Sequence, residues 1–288
     1  MEVIVASSAG FCYGVKRALD TVLSASKASG RAMFILGPLI HNPQVIEDLE
    51  RQGVKSVKAL SGIPAGSTLV MPSHGVPQEV MVEANESGLE IIDVTCPFVR
   101  KVHDLARSLV KQGYQVVVLG DEGHTEVKGI MSMAGDDAIA VSDVGELAGR
   151  SLKGQVGLIA QTTQTLERYQ QVAAKLSSLA YELRAYNTIC NATSDRQKAA
   201  LDVAQRVDVM IIVGGRNSAN TKRLAEICTG TGVPSHHVEV SEELQGSWFT
   251  RAAKVGITAG ASTPDWIIEQ VVGKVKDIPD TESPDVIS

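Results

Sequence analysis

A parallel α/β fold is the expectation for this 288-residue chain, and two features of its sequence predict it. Short apolar, β-branched runs alternate with amphipathic stretches almost throughout, the pattern left by parallel strands joined through crossover helices. A strand that stops at a cysteine, with a helix starting straight after it, occurs at Cys12, Cys96 and Cys190, spaced 84 and 94 residues apart. This repetition predicts three similar α/β domains with mostly parallel sheets, in a pseudo-threefold arrangement around a central cavity. The expected boundaries are 12–95 (with an N-terminal strand in 1–11), 96–189 and 190–278, followed by a loose, polar, proline-containing tail at 279–288.

The elements follow in order. Val3 to Ala6 reads as a strand leading through Gly10-Phe11-Cys12-Tyr13-Gly14 into a helix with Val15, Ala18, Leu19, Val22 and Leu23 on one face. Met33–Leu36 and Thr68–Met71 are further strands. Ile91 to Val94 is a buried strand ending in Thr95-Cys96-Pro97, where Pro97 suits the first helical position. Phe98, Val102, Leu105, Ala106 and Leu109 then recur at helical spacing until Gly113. Gln115–Leu119, Val156–Ala160, Val209–Val213 and Val255–Thr258 continue the strand series. Residues 183–189 form a weaker extended run before Cys190, and Ser194 and Gln197 have capping-box spacing for the next helix.

Composition narrows the function. Hydrophobic content of 44% and charged content of 21% are ordinary for a globular protein. A net charge of −6 with only 4% aromatics argues against nucleic acid as a partner. No signal peptide and no membrane-spanning run are apparent, so a reducing, cytoplasmic setting is expected. Four cysteines there are better metal or catalytic candidates than disulfide partners.

The loops after the strands carry the polar residues, and in parallel α/β sheets ligands bind outside the carboxyl ends of strands. His41, His74 and His124 lie in three of these loops and could hold an anion or a metal. Glu126 follows His124 by two residues. If desolvated it would be a proton donor; the plain alternative is a solvated glutamate at a helix start. Thr162, Thr163, Asn217, Ser218, Asn220, Ser262 and Thr263 all precede helices, where they are common caps but also build anion sites. Neither a GxxxxGK[ST] loop nor a GxGxxG fingerprint is present, so the implied anion is small and held by neutral donors and histidines. His103, His236 and His237 read as structural or surface residues, and Cys228 as helix packing. Cys12, Cys96 and Cys190 could be three buried small hydrophobes. Three thiolates from distant segments also suit a cubane iron–sulfur cluster with one iron lacking a protein ligand.

Read together, Gly10-Phe11-Cys12-Tyr13-Gly14-Val15, His41-Asn42, His74-Gly75-Val76, Asp93-Val94-Thr95-Cys96-Pro97, Gly123-His124-Thr125-Glu126-Val127, Gln161-Thr162-Thr163, Ile189-Cys190-Asn191-Ala192-Thr193, Asn217-Ser218-Ala219-Asn220 and Thr258-Ala259-Gly260-Ala261-Ser262 resemble the 4-hydroxy-3-methylbut-2-enyl diphosphate reductase family. The resemblance runs from about residue 3 to residue 275. It implies three α/β domains around a [4Fe-4S] cluster, open to loss of iron to a [3Fe-4S] form on oxidation. Cys12, Cys96 and Cys190 match its ligands. His41, His74, His124, Thr162, Ser218, Ala219, Asn220 and Ser262 fall on substrate-holding positions, and Glu126 on the proton-donating acid. One departure stands out: the family commonly has Asn-Ser-Ser-Asn where this chain has Asn217-Ser218-Ala219-Asn220, which implies somewhat weaker diphosphate binding.

The implied reaction is reductive dehydroxylation of the allylic diphosphate to isopentenyl and dimethylallyl diphosphate, the last step of the non-mevalonate isoprenoid route. The implied electron donor is a ferredoxin or flavodoxin. The chain itself is expected as a monomer or weak homodimer, with no nucleic-acid or membrane partner. Two rivals stay open on the residues alone: a Cys₃ zinc hydrolase or hydratase, and a non-catalytic small-ligand binding protein.

Overall fold

Each strand is a single run of three to six residues, apolar where it is central, and it pairs with its neighbours in parallel. The computed structural model describes residues 1–278, so the expected loose tail at 279–288 lies outside the described residues. Strand β1 (Glu2–Val5) leads through Cys12 into helix α1 (Tyr13–Ala28). Strands β2 (Met33–Leu36), β3 (Val54–Val57), β4 (Thr68–Met71) and β5 (Glu90–Asp93) follow, with α2 (Pro43–Arg51) and α3 (Gln78–Glu86) as crossovers. They form one four-stranded sheet in the order β3-β2-β4-β5.

Helix α4 (Pro97–Lys111) starts a second round: β6 (Gln115–Leu119), α5 (Thr125–Ala134), β7 (Ile139–Val141), β8 (Gln155–Ala160), α6 (Leu166–Ser177) and β9 (Glu182–Ala185), with sheet order β7-β6-β8-β9. Helix α7 (Asn191–Ala204) starts the third: β10 (Val209–Val213), α8 (Ala219–Gly230), β11 (Ser235–Val238), β12 (Lys254–Ala259) and α9 (Asp265–Lys276). Its sheet order is β11-β10-β12-β1.

The three sheets therefore share one strand order, and the expected α/β class with three parallel sheets is the observed one. The first strand corrects the expected grouping. β1 was expected beside the first domain, yet it pairs in parallel with β12, from Glu2↔Lys254 to Val5↔Ile257. The reason is topological: after β12 the chain turns into α9, and the main-chain groups along the open edge of β12 are met by β1.

The repetition extends to single hydrogen bonds. Gly37, Gly120 and Gly214, each just past the strand that stands second in its sheet's order, donate their N–H to the carbonyls of Val57, Val141 and Val238, at 2.7, 2.8 and 2.9 Å. Strands β6 and β10 are buried at every residue, so both faces are covered by helices, as parallel sheets require. On one face of the second sheet Val116, Val118 and Ile159 meet Val102, Ala106 and Leu109 of α4 and Ile130 of α5. On the other face Val117, Leu119 and Leu158 meet Val172 and Leu176 of α6. In the third sheet Ile211 and Ile257 face Ile267 and Val271 of α9, while Met210 and Ile212 face α7 and Leu224 of α8.

The chain divides into two compact units. One holds Met1–Cys12, His41–Pro43 and the chain from Asn191 onward, and so contains the third sheet. The other holds Tyr13–Ile40 and Gln44–Cys190, with the first two sheets. Among the described residues no helix is long and apolar enough to cross a membrane.

Helix starts depart from the local cap signals in three places. α7 begins at Asn191, so Ser194 lies inside its first turn and the expected capping box is not formed. The start is set instead by a long-range bond from the Cys190 N–H to the Thr162 carbonyl, 3.0 Å. α6 is capped by Thr165, which accepts from the Arg168 N–H, so neither Thr162 nor Thr163 is its cap. At α9 the N-cap position is Pro264, and the Thr263 hydroxyl turns away to donate to the Val213 carbonyl at 3.0 Å.

Leu109 tests the packing of α4. It is fully buried, and Gly157 makes room for it, since a Cβ there would come within 2.7 Å of Leu109 Cδ1. Leu109→Ala is expected to destabilise the protein by about 2–5 kcal/mol, read from urea unfolding of purified protein.

Candidate active site

Glu126 decides the character of the second unit's loops. It lies in the first turn of α5, where negative charge is favoured, but it is only 4% exposed. The solvated-glutamate alternative therefore does not describe it. Its Oε1 accepts the Thr162 N–H at 2.7 Å and its Oε2 accepts the Thr162 hydroxyl at 2.9 Å. Burial pushes its pKa up, opposed by those two donated bonds. A buried carboxyl group of this kind, its proton favoured by desolvation, can give that proton up to a bound oxygen.

Thr162 does more than hold the acid. Its carbonyl accepts the Cys190 N–H, so one residue ties Glu126 to the cysteine segment. His124 is the N-cap of α5, and its Nδ1 accepts the Glu126 N–H at 3.2 Å. In the neutral ring this leaves the proton on Nε2, which makes His124 a donor on its other side. Beside Thr162, Gln161 is 1% exposed; its Oε1 accepts the Asp121 N–H, while its Nε2 has no partner among the described residues.

The Cys96 segment repeats the Cys190 pattern. Cys96 is the N-cap residue of α4, followed by Pro97 at the first helical position as expected. Its N–H donates to the Ser73 carbonyl at 2.9 Å, and Ser73 precedes His74, which is buried. The Ser73 hydroxyl in turn donates to the Leu39 carbonyl at 2.9 Å.

In the other unit Cys12 follows the same rule, donating its N–H to the Ala261 carbonyl at 3.1 Å, next to Ser262. Ser218 is the N-cap of α8, with its Oγ accepting the Thr221 N–H at 3.3 Å. Ala219 opens that helix and Asn220 lies inside its first turn, not before it. Asn220 is 4% exposed, and neither its Oδ1 nor its Nδ2 has a partner among the described residues. A buried amide left unmatched at a helix N-terminus is what an anion site requires. His41 is half-buried, and burial first, then the Lys222 charge, lowers its pKa. The loop before α8 is anchored from behind: His237 Nε2 meets the Gly214 carbonyl at 2.7 Å, and Glu239 accepts the Arg216 N–H.

His237, read from the sequence as structural or surface, is structural: it anchors that loop. One anchoring residue escapes the sequence reading. Arg196 is 4% exposed and donates to the Gly10 carbonyl at 2.7 Å and to the Ala192 carbonyl at 2.9 Å. In sequence it sits in the polar run Ser194-Asp195-Arg196-Gln197, which looks like a solvated helix face. His236 stacks on Trp248 with ring centroids 3.9 Å apart, a packing role as expected.

The cysteines fall into two kinds. Cys228 is fully buried in α8, and burial pushes its thiol up to about 11, as suits a packing residue. Cys12, Cys96 and Cys190 are partly exposed, form no disulfide, and each follows an edge strand by way of the same main-chain bond. Partly exposed thiols at the amino ends of helices fit iron–sulfur ligation better than core packing. Among the described residues no three His, Cys, Asp or Glu side chains are close enough to hold a single metal ion.

The sequence matches the LytB protein family over residues 3–276. The chain belongs to this family. It is 44% identical over 278 residues to the 4-hydroxy-3-methylbut-2-enyl diphosphate reductase of Pelobacter propionicus, covering 96% of this chain and 99% of that one. It is also similar to a solved structure of (E)-4-hydroxy-3-methyl-but-2-enyl diphosphate reductase, described as the terminal enzyme of the non-mevalonate pathway. Identity there is 40% and the TM-score 0.69, with 96% of this chain and 100% of that chain covered. A Plasmodium falciparum reductase of the same kind superposes with a TM-score of 0.92 at 26% identity, covering 96% and 89%. This LytB family member is thus related along nearly its whole length to oxidoreductases.

Burial of Glu126 gives a prediction on stability. An acid whose folded pKa is raised adds stability below its unfolded value and loses it as pH rises through the folded one. Glu126→Gln keeps the shape, and its Nε2 can donate to the Thr162 oxygen. At pH 8 the variant is expected to melt about 2–4 °C above the unmodified protein, a shift roughly 1 kcal/mol makes in a chain of this size. At pH 4 the two melts should coincide, as differential scanning calorimetry would show.

Proposed function

We propose that this LytB family protein reduces (E)-4-hydroxy-3-methylbut-2-enyl diphosphate, and that Glu126 is its acid. The observation that carries the reading is the buried Glu126 carboxyl, gripped at both oxygens by Thr162, whose carbonyl receives the Cys190 N–H. A raised carboxyl pKa beside a thiol-bearing segment is the pairing a reductive removal of hydroxyl needs.

Cys12, Cys96 and Cys190 are proposed as ligands of a [4Fe-4S] cluster. When bound, that group supplies electrons one at a time and a Lewis-acidic iron without a protein ligand. The chain's own residues do the rest. His41, His74, Ser218, Asn220 and Ser262 hold the diphosphate, helped by the N–H groups at the start of α8. Ala219 contributes a main-chain N–H but no hydroxyl there. His124, donating through Nε2, and Thr162 orient the acid and the substrate oxygen. Glu126 then gives its proton to the departing hydroxyl, which leaves as water. The balance is two electrons and two protons in, one C–O bond broken and one C–H bond formed. The second proton reaches either of two allylic carbons, giving isopentenyl or dimethylallyl diphosphate. A ferredoxin or flavodoxin is the proposed electron source.

The test is anaerobic purification with iron and sulfide counts, a visible spectrum, and turnover of the allylic diphosphate with a chemical reductant. A brown, iron-loaded protein that consumes the substrate is expected; a colourless zinc protein, or none consumed, would count against the reading. Glu126→Gln is expected to keep iron and substrate affinity and to slow turnover by roughly 10²-fold or more. Cys96→Ser is expected to leave the protein depleted in iron.

A further inference from the structure

His103 sits on α4, seven residues past Cys96, and is 5% exposed, which settles its reading as a structural or surface residue in favour of the structural one. Its ring is lodged against two glycines on different elements. A Cβ on Gly75 would come within 2.8 Å of His103 Cε1. A Cβ on Gly129 would come within 3.0 Å of Nε2 and 3.2 Å of Cε1. A side chain at Gly75 would force the imidazole to shift, and one at Gly129 would press on it closely enough that it must give by a few tenths of an ångström.

Both glycines sit next to residues of the proposed site. Gly75 follows His74, in a turn closed by its own N–H donating to the Pro72 carbonyl at 3.1 Å. Gly129 is on α5, one turn beyond Glu126. The same Gly75 position lies 3.4 Å from Thr95 Cγ2, next to Cys96. The two elements also touch directly: Gln78 N–H donates to the Ser132 hydroxyl of α5 at 3.1 Å, and that hydroxyl donates to the Gly129 carbonyl at 2.8 Å.

The ring itself makes no hydrogen bond through Nε2 among the described residues. It borders a cavity of about 320 Å³, whose wall includes Val76, Met81, Thr95 and Met133. The charged groups around it are Arg107, Asp104, Asp93 and Arg100, and burial with the two arginines lowers its pKa to about 4. At working pH it is therefore a neutral, rigid, flat body with little hydrogen bonding to explain its burial. A leucine or phenylalanine would be easier to bury; what the imidazole offers is a size and shape that fit two glycine notches.

We propose that His103 is a positioning residue for the reaction. Its ring, wedged between Gly75 and Gly129, sets the spacing between the loop that carries His74 and the helix that carries His124 and Glu126. This rests on the reading of His74 and Glu126 given above. A misplacement of about 1 Å between such groups can cost up to roughly 10²-fold in rate.

The test is a double-mutant cycle on the iron-loaded full-length protein, with Glu126→Gln assayed alongside. Gly129 is chosen over Gly75 because it is helical, whereas Gly75 has a φ of +75° that any side chain would strain. His103→Ala is expected to lower kcat at least tenfold, with KM for the allylic diphosphate changed less than threefold and iron per chain unchanged. Gly129→Ala alone is expected to lower kcat about tenfold, and to cost less than threefold when added to His103→Ala, because the ring it presses on is gone. Should His103→Ala not fold, His103→Asn takes its place in the cycle.

The proposal is overturned if His103→Ala keeps more than half of kcat. It is overturned equally if the loss falls on KM or on iron content, or if Gly129→Ala costs the same in both backgrounds. If Glu126→Gln turns over normally, the underlying site reading fails together with it. A slow Glu126→Gln with an additive cycle overturns the role of His103 alone.

Discussion

One main-chain hydrogen bond, made three times, organises the functional end of each sheet. Cys12, Cys96 and Cys190 each donate a backbone N–H to the loop after the adjacent strand, at Ala261, Ser73 and Thr162. Such a bond contributes only about 0.5–1.5 kcal/mol net, but leaving it unmade in a buried place costs about 1–3 kcal/mol. It therefore fixes where each cysteine sits more than it stabilises the fold. It also fixes what sits beside the cysteine, since the accepting residue is Thr162 itself or directly precedes Ser262 and His74.

The same economy explains how a carboxyl is kept reactive. Desolvation of Glu126 favours its neutral form, while the two Thr162 donors favour the charged one. Desolvation is the larger of the two, so the net effect favours the protonated form, as suits an acid that gives up its proton once per cycle. His124 serves two ends at once, capping α5 through one ring nitrogen while offering the other as a donor.

Much of this was legible in the sequence because local chemistry and tertiary role coincided. Apolar runs located most of the central strands within a residue or so, but β3, β7 and β11 went unread and the run at 183–189 overshot β9; Pro97 marked the start of α4 because a proline at the first helical turn costs nothing. What failed to show was information carried by partners far along the chain. The start of α7 depends on a carbonyl 28 residues earlier, so the local Ser194 and Gln197 signal misleads. The burial of Arg196 depends on carbonyls that no helical pattern reveals. His103 is legible only once Gly75 and Gly129 are seen as paired notches, since a lone histidine on an amphipathic helix has no distinctive spacing. The fourth strand of the third sheet was misgrouped because strand pairing is not written in sequence order.

That last feature bears on how the protein is made. Strand β1 is hydrogen-bonded to a strand about 250 residues later in the chain. Non-local closure of this kind is slow, and nascent chains fold vectorially. The first two sheets draw on strands that lie close together in translation order, whereas the segment bearing Cys12 must wait for the carbonyl of Ala261. Completion of the third sheet thus waits on the synthesis of β12.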